Sequence, residues 1–356
     1  MLLRAWVSFC VILFFPRALA LDCVLHDFES VQSITKTCTD IVVDNLFVPA
    51  GETLALNLLN GSTLTFKGNT SFGYTNWQGY LVKITGNGLT VAGEAGSFLD
   101  GLGPLYWDGK GNGGIEKPKF IDFSVTDSVI NNLYVLNCPK TCIYCRGCDN
   151  VTVTNLTVDN RAGDENVAPP NQYGHNTDGF NLHQSNNIVI KNGTIFNQDD
   201  CVCVFEGSNI SVSDMYCHGS HGLSISLSSG VVENVLFADS VVEDGENGIH
   251  VKIHIPGESG ILRNVTYKNI FMRGIIDYGI DVQQNYPDKY APPENTIPIY
   301  NLNLINVTGS VNPEAVPIQI LCAQDGCFDW NWSGVDIEGN VAADNCTNYV
   351  PPGFRC

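Results

Sequence analysis

Six stretches of the chain can be written one under another: DNVTVTNLTV (149–158), NNIVIKNGTI (186–195), SNISVSDMYC (208–217), ENVLFADSVV (233–242), RNVTYKNIFM (263–272) and YNLNLINVTG (300–309). Each reads Asn, apolar, any residue, apolar, any residue, then Asn or Asp, and an earlier copy ends at Asn132. The closing markers are Asn132, Asn155, Asn192, Asp214, Asp239, Asn269 and Asn306, spaced by 23, 37, 22, 25, 30 and 37 residues. A unit this short excludes a propeller, whose four-stranded blades take roughly 40 or more residues. The Leu-x-x-Leu-x-Leu frame of leucine-rich repeats is missing. Helical periodicity is nearly absent and β-branched residues dominate. What remains is an all-β, single-domain parallel β-helix: each repeat is one coil of short strands, and stacked coils bury a continuous Val/Ile/Leu core. The recurring Asn tolerates a left-handed backbone at a tight corner and can hydrogen-bond the Asn above and below. An Asn so engaged is not free to carry a sugar, which bears on the ten Asn-x-Ser/Thr sequons (Asn60, Asn69, Asn155 and Asn331 among them).

Coils longer than 22 residues carry inserts at 161–175, 252–260 and 285–297. In a solenoid such inserts become loops on one side, so the three are expected to wall a groove. Residues 21–125 have the same strand-and-turn texture and read as the capped start of the same solenoid.

Register then places polar residues. Asp178 lies 14 residues before Asn192 and Asp200 lies 14 before Asp214, so they occupy one place on adjacent coils. Asp199 and His221 are 22 apart, which brings His221 beside Asp199 on the next coil. Neighbouring rungs are about 4.8 Å apart, so three carboxyls and an imidazole must share one patch. Like charges this close do not all ionise freely, and at least one acid should hold its proton to a raised pH. That is a setting for acid–base chemistry. The following coils add His250 and Lys252, then Tyr286, and the lysine offers a local cation for an anionic substrate.

Such a cation is needed, because 18 Lys and Arg stand against 37 Asp and Glu, a formal charge of −19. Nucleic acid and anionic membrane surfaces would repel this chain. Arg4, the apolar run 5–15 and Ala18-Leu19-Ala20 read as a secretory signal peptide over residues 1–20, too short to span a bilayer. The expectation is a secreted monomer with one domain over 21–356. The 13 cysteines after residue 20 then read as disulfides plus one odd thiol. Cys138, Cys142, Cys145 and Cys148 have spacing that could hold zinc, although a secreted chain more often oxidises such a cluster.

The motifs NTDGF (176–180), QDDC (198–201), SHGLSIS (220–226), HVK (250–252) and QQNY (283–286) resemble those of the polygalacturonases, the pectin-degrading glycoside hydrolases of family 28. The likeness covers essentially all of 21–356. It implies a right-handed parallel β-helix of about ten coils that hydrolyses α-1,4-galacturonan (homogalacturonan, the backbone of pectin) with inversion and without metal or organic cofactor. Carried over, Asp200 is similar to the general acid, Asp178 and Asp199 to the pair that activates water, and His221 to the histidine that holds the acid's protonation state. Asn176 matches a polar contact in the groove, and Lys252 and Tyr286 match subsites for the galacturonate carboxylate and ring. Carboxyls spaced as one rung would suggest retention by the usual separation rule, so inversion rests on the resemblance alone.

Two departures stand out. The family's Gly-His-Gly is Ser220-His221-Gly222, and its Arg-Ile-Lys is His250-Val251-Lys252. The arginine pairs with a substrate carboxylate, and a mostly neutral imidazole is a poor replacement for a forked guanidinium. The alternatives to an endo-acting polygalacturonase are therefore a catalytically silent galacturonan-binding protein and an exo-acting or rhamnogalacturonan- or xylogalacturonan-directed relative. Bridges are expected for Cys23–Cys38, Cys201–Cys217, Cys322–Cys327 and Cys346–Cys356, with Cys203 as the odd thiol. Two more would form within the 138–148 cluster, in an unassigned pattern.

Overall fold

Apolar residues at every second position, such as Val151 and Val153 or Ile188 and Ile190, turn one face of each repeat inward. In the computed structural model, which describes residues 23–288, 290–339 and 344–356, these faces meet in one core running from Leu25 to Trp332. The proposed signal peptide, 1–20, lies outside the described residues. Every strand pairing recorded is parallel, between consecutive coils, and the strands form a right-handed β-helix with three sheet faces.

The face that matters for function can be followed rung by rung from Ala55 through Lys83, Asp122, Tyr144, Asn181, Cys203, Ser224, His250, Asp281 and Gln319 to Asn345. The solenoid thus has about the ten coils expected. A short helix, Val31–Thr37, lies at its N-terminal end and sends Val31 and Ile34 into the core.

All seven marker residues have left-handed backbones, with φ between 49° and 56°. Asn306 donates to Asn269 at 2.9 Å and Asn269 to Asp239 at 2.7 Å; Asn192 likewise donates to Asn155. The first Asn of each repeat builds a second ladder that the marker reading missed: Asn301, Asn264, Asn234, Asn209 and Asn187 are joined by four bonds of 3.0–3.2 Å.

The four expected disulfides are present. The cluster pairs Cys138 with Cys142 and Cys145 with Cys148, so its thiols are consumed by oxidation rather than offered to zinc. Cys203 is free and buried. The inserts are more compact than expected. Residues Lys252–His254 continue the strand Asn247–His254, and Asn285 and Tyr286 end the strand Tyr278–Tyr286. Only the first insert walls the cleft with a run of loop residues; the others contribute through strand ends. Among the described residues no helix is long and apolar enough to cross a membrane.

Candidate active site

The three aspartates sit in turns that lead into the strands Phe180–His183 and Val202–Val204. Phe180 pairs with Val202, so Asp178 and Asp200, two residues upstream of each, are stacked. The turns are bolted together by side chains of the same motifs. Thr177 Oγ1 donates to Gln198 Oε1 at 2.9 Å and accepts the Gln198 N–H at 2.9 Å. Fully buried Asn197 donates to the carbonyls of Thr177, Asp199 and Asp200 at 2.9–3.0 Å. On the next coil Gly222 has φ +91°, and a Cβ there would lie 2.5 Å from the Gly248 carbonyl, so the turn that presents His221 requires glycine. Ser220, where the family has glycine, is accommodated: its buried Oγ accepts the Gly222 N–H at 3.2 Å.

Each carboxyl has different company. Asp200, 3 % exposed, accepts both Nζ contacts of buried Lys252, at 2.6 and 2.8 Å, and the Ser224 hydroxyl at 2.6 Å. Burial alone would raise its pKa, but the Lys252 charge outweighs that and holds Asp200 at about 2. Lys252, in turn, is kept above its ordinary range against the pull of burial, chiefly by Asp200. Asp178 has no cation at contact distance. It accepts from Asn181 Nδ2 at 2.7 Å, and burial together with the charges of Asp199 and Asp200 pushes it up to about 8. Asp199 accepts from Asn176 Nδ2 at 2.9 Å and from the Asp200 N–H at 2.7 Å. His221 Nδ1 stands 3.5 Å from Asp199, and its Nε2 is 3.1 Å from Glu246. Burial works against a charge on His221, yet Asp199 and Glu246 raise its pKa. One acid is ionised, another keeps a proton, and a histidine stands beside the third.

A cleft of about 300 Å³ is lined by Asn176, Asp178, Asp199, Asp200, Lys252 and Tyr286, and a neighbouring one of about 560 Å³ by His221, Glu246 and the first insert. Asp199 and His221 mark the junction of these two arms. Seven of the eight residues singled out from the sequence therefore meet. His250 does not line either arm. It is 6 % exposed, with Nδ1 3.3 Å from Asn247 Nδ2 and Nε2 3.2 Å from Gln283 Nε2 and 3.3 Å from Asp281. Both of its ring nitrogens thus have partners within the protein, where the expectation placed the ring toward substrate. Asp200, expected as the general acid, is the carboxyl that Lys252 pairs with. Asn181, Ser224 and Asn197 were not singled out from sequence; the outward column through Asn181 and Ser224 was the available signal.

Ligand atoms of Asp199, Asp200 and His221 lie within 4.8 Å of one another, close enough to hold a cation. Lys252 already occupies both Asp200 oxygens and brings the positive charge there.

Residues 38–355 match the model of glycosyl hydrolases family 28. The chain belongs to that family. Among its family 28 relatives, the polygalacturonase of Phaedon cochleariae is 42 % identical over 349 residues, covering 94 % of this chain and 93 % of the relative. Endopolygalacturonase A of Aspergillus niger is 42 % identical over 343 residues, covering 94 % and 90 %. In three dimensions the chain is similar to endopolygalacturonase I of Stereum purpureum, solved with two galacturonates. That pair has a TM-score of 0.83 and 32 % identity, over 91 % of this chain and 96 % of the other.

Proposed function

We propose that the protein is an endo-acting polygalacturonase that acts outside the cell as a monomer, hydrolysing α-1,4-galacturonosyl bonds of homogalacturonan with inversion. The observation that carries this is the gathering of three carboxyls and His221 at the junction of a two-armed cleft, with Lys252 paired to one of the three. A polymer lying across the junction has sugar units on both sides of the bond to be cut, as an endo-acting enzyme requires. Six disulfides suit an oxidising, extracellular setting. The silent-binder alternative rested on the loss of an arginine at His250, and His250 is no part of the cleft wall.

The roles differ from those carried over by resemblance. Asp200, held ionised by Lys252, takes the proton from the attacking water, and Asp178 orients that water. Asp199, at the junction and beside His221, delivers the proton to the leaving glycosidic oxygen. Lys252 serves Asp200 first, and Tyr286, whose ring lies 5.5 Å from Lys252 Nζ, flanks it.

Fluoride needs no proton to leave, so α-galacturonosyl fluoride separates acid from base. Asp199→Asn should lose about 10²–10⁴-fold on polygalacturonate yet keep most of its activity on the fluoride, while Asp200→Asn loses both. The opposite pattern would return the acid role to Asp200. A parent that releases no reducing ends from polygalacturonate between pH 4 and 7 would sink the functional reading itself.

A further inference from the structure

Lys252 is neutralised by Asp200, so the charge that meets a polyuronate must come from elsewhere. Four cations converge on the coils that precede Asp178: Lys83, Lys119, Lys140 and Arg146. Two tyrosine rings gather three of them. Lys83 Nζ is 5.2 Å from the centre of Tyr80, while Lys119 Nζ lies 4.4 Å and Arg146 Cζ 5.0 Å from the centre of Tyr144. Arg146 also donates to Tyr80 Oη at 3.4 Å. Among the described residues none of the four is in an ion pair within 4.0 Å, whereas Lys67, Lys117, Arg161, Lys252, Arg263 and Arg273 each have a carboxylate. Half-buried Asp122 and buried Asp178 are the nearby acids, and burial raises the pKa of both. In a chain of net charge −19, unpaired cations packed together lack an anion.

The arrangement is also rigid and continuous with the reaction centre. Tyr144 stacks on His183 at 4.3 Å, and His183 on Phe205 at 4.0 Å. Burial, with Lys119 and Arg146 close by, pulls His183 down to about 4, so the stack is uncharged above that pH. Lys119, Tyr144, His183 and Phe205 line the same arm as Asp178 and Asp200. So does Asn181, 3 % exposed, whose Nδ2 donates to Asp178. The other arm has the opposite character. Asp164, Glu165, Asp244 and Glu246 line it, and its lining includes no lysine or arginine.

We propose that the arm beyond Asp178 is a subsite that reads a free galacturonate carboxylate, with Lys119 and Arg146 binding the anion and Tyr144 holding them in place. The enzyme thus binds a de-esterified unit on that arm in preference to an esterified one and accepts a methyl-esterified, uncharged unit on the acidic arm. This rests on the polygalacturonase reading above and adds which units of a partly esterified polymer are accepted where.

The test compares kcat/KM on de-esterified polygalacturonate and on highly methyl-esterified pectin for the parent, Lys119→Gln, Arg146→Gln, the double variant and Arg146→Lys. Losing both cations should lower kcat/KM on the de-esterified polymer by roughly 10- to 100-fold, mostly through KM. The loss should shrink in 1 M salt, where the parent's own advantage is screened. On esterified pectin the same variant should stay within about threefold of the parent, and Arg146→Lys should lose less than Arg146→Gln because it retains the charge but not the planar fork. A parent that cleaves while the double variant keeps its kcat/KM within twofold, or loses equally on both polymers, overturns the subsite and leaves the function standing. A parent that neither cleaves nor binds polygalacturonate overturns both.

Discussion

Two columns of polar residues climb this solenoid under one rule, and they end in opposite states. At the corner, Asn306 donates to Asn269 and Asn269 to Asp239; an amide both donates and accepts, so the asparagine rungs satisfy one another, and the carboxyls of Asp214 and Asp239 in the same column are exposed to water. At the turn before the site sheet, Asp178 and Asp200 stack in the same way, but ionised carboxyls only accept. They must import a donor, as Asp200 does from Lys252 and Ser224, or keep a proton, as Asp178 does. Stacking a neutral, self-complementary group gives scaffold. Stacking a charged, self-repelling one gives a site whose members cannot share one protonation state.

The largest effect should come from breaking the pair that resolves the acid column. Lys252→Met leaves the Asp200 carboxylate buried without its cation, a change that costs about 3–5 kcal/mol when one partner of a buried pair is removed. Asp200 then loses what holds it at about 2, and hydrolysis should fall by roughly 10²-fold or more. Adding Asp200→Asn should restore much of the stability without restoring activity, a coupling that urea unfolding of both singles and the double would read. Additive losses would mean the pair is not what stabilises the column.

Titration sharpens the same contrast. Asp178 holds its proton to about pH 8 in the folded protein, against 3.8 as the ordinary value, so it binds more protons folded than unfolded between those limits. Stability should therefore decline as pH rises from about 4 to 8. Asp200 is shifted down to about 2, so its contribution is present above about pH 4 and lost as pH falls toward 2. For these two groups the optimum lies near pH 4. Asp178→Asn should flatten the decline from 4 to 8 and leave the acid limb unchanged. Equal slopes for parent and variant, measured as urea midpoints against pH, would show that the proton is held elsewhere.

Much of this was legible before any coordinates, for a reason the two columns share. A solenoid turns sequence spacing directly into spatial distance, so the Asn markers, the stacking of Asp178 on Asp200 and the meeting of Asp199 with His221 all follow from counting residues. Counting does not reveal where side chains point within a rung. His250 and Lys252 stand two residues apart on one strand and on one face, yet Lys252 reaches Asp200 while His250 is drawn into a buried contact with Asp281. Nor does it show which acid a lysine will choose, as Lys252 chooses Asp200. The basic arm was hidden for a related reason. Lys83, Lys119 and Arg146 come from separate coils with no shared motif, and only their common approach to Tyr80 and Tyr144 makes them a group.

The smallest effect tests the scaffold half of the comparison. Asn269 has φ +54°, donates to Asp239 and accepts from Asn306, and is not itself in a sequon. Asn269→Ala removes two exposed hydrogen bonds and puts an ordinary side chain into a left-handed backbone, which costs about 1–2 kcal/mol. Asn269→Gly removes the same two bonds but accepts the backbone, so it should recover most of that loss if conformation, rather than the ladder bond, is what the asparagine supplies. Neither variant should change kcat/KM on polygalacturonate, because the corner lies on a different sheet face from the acids. Should Asn269→Gly be as damaging as Asn269→Ala, the amide ladder itself carries the stability. Occupied corners also leave their amides unavailable, so glycan mapping of the secreted protein should find sugar at exposed Asn60 or Asn331 before Asn155, Asn192 or Asn306. Sugar on a laddered asparagine would mean that its rung opens in the native protein, and that the neutral column is held less tightly than its hydrogen bonds imply.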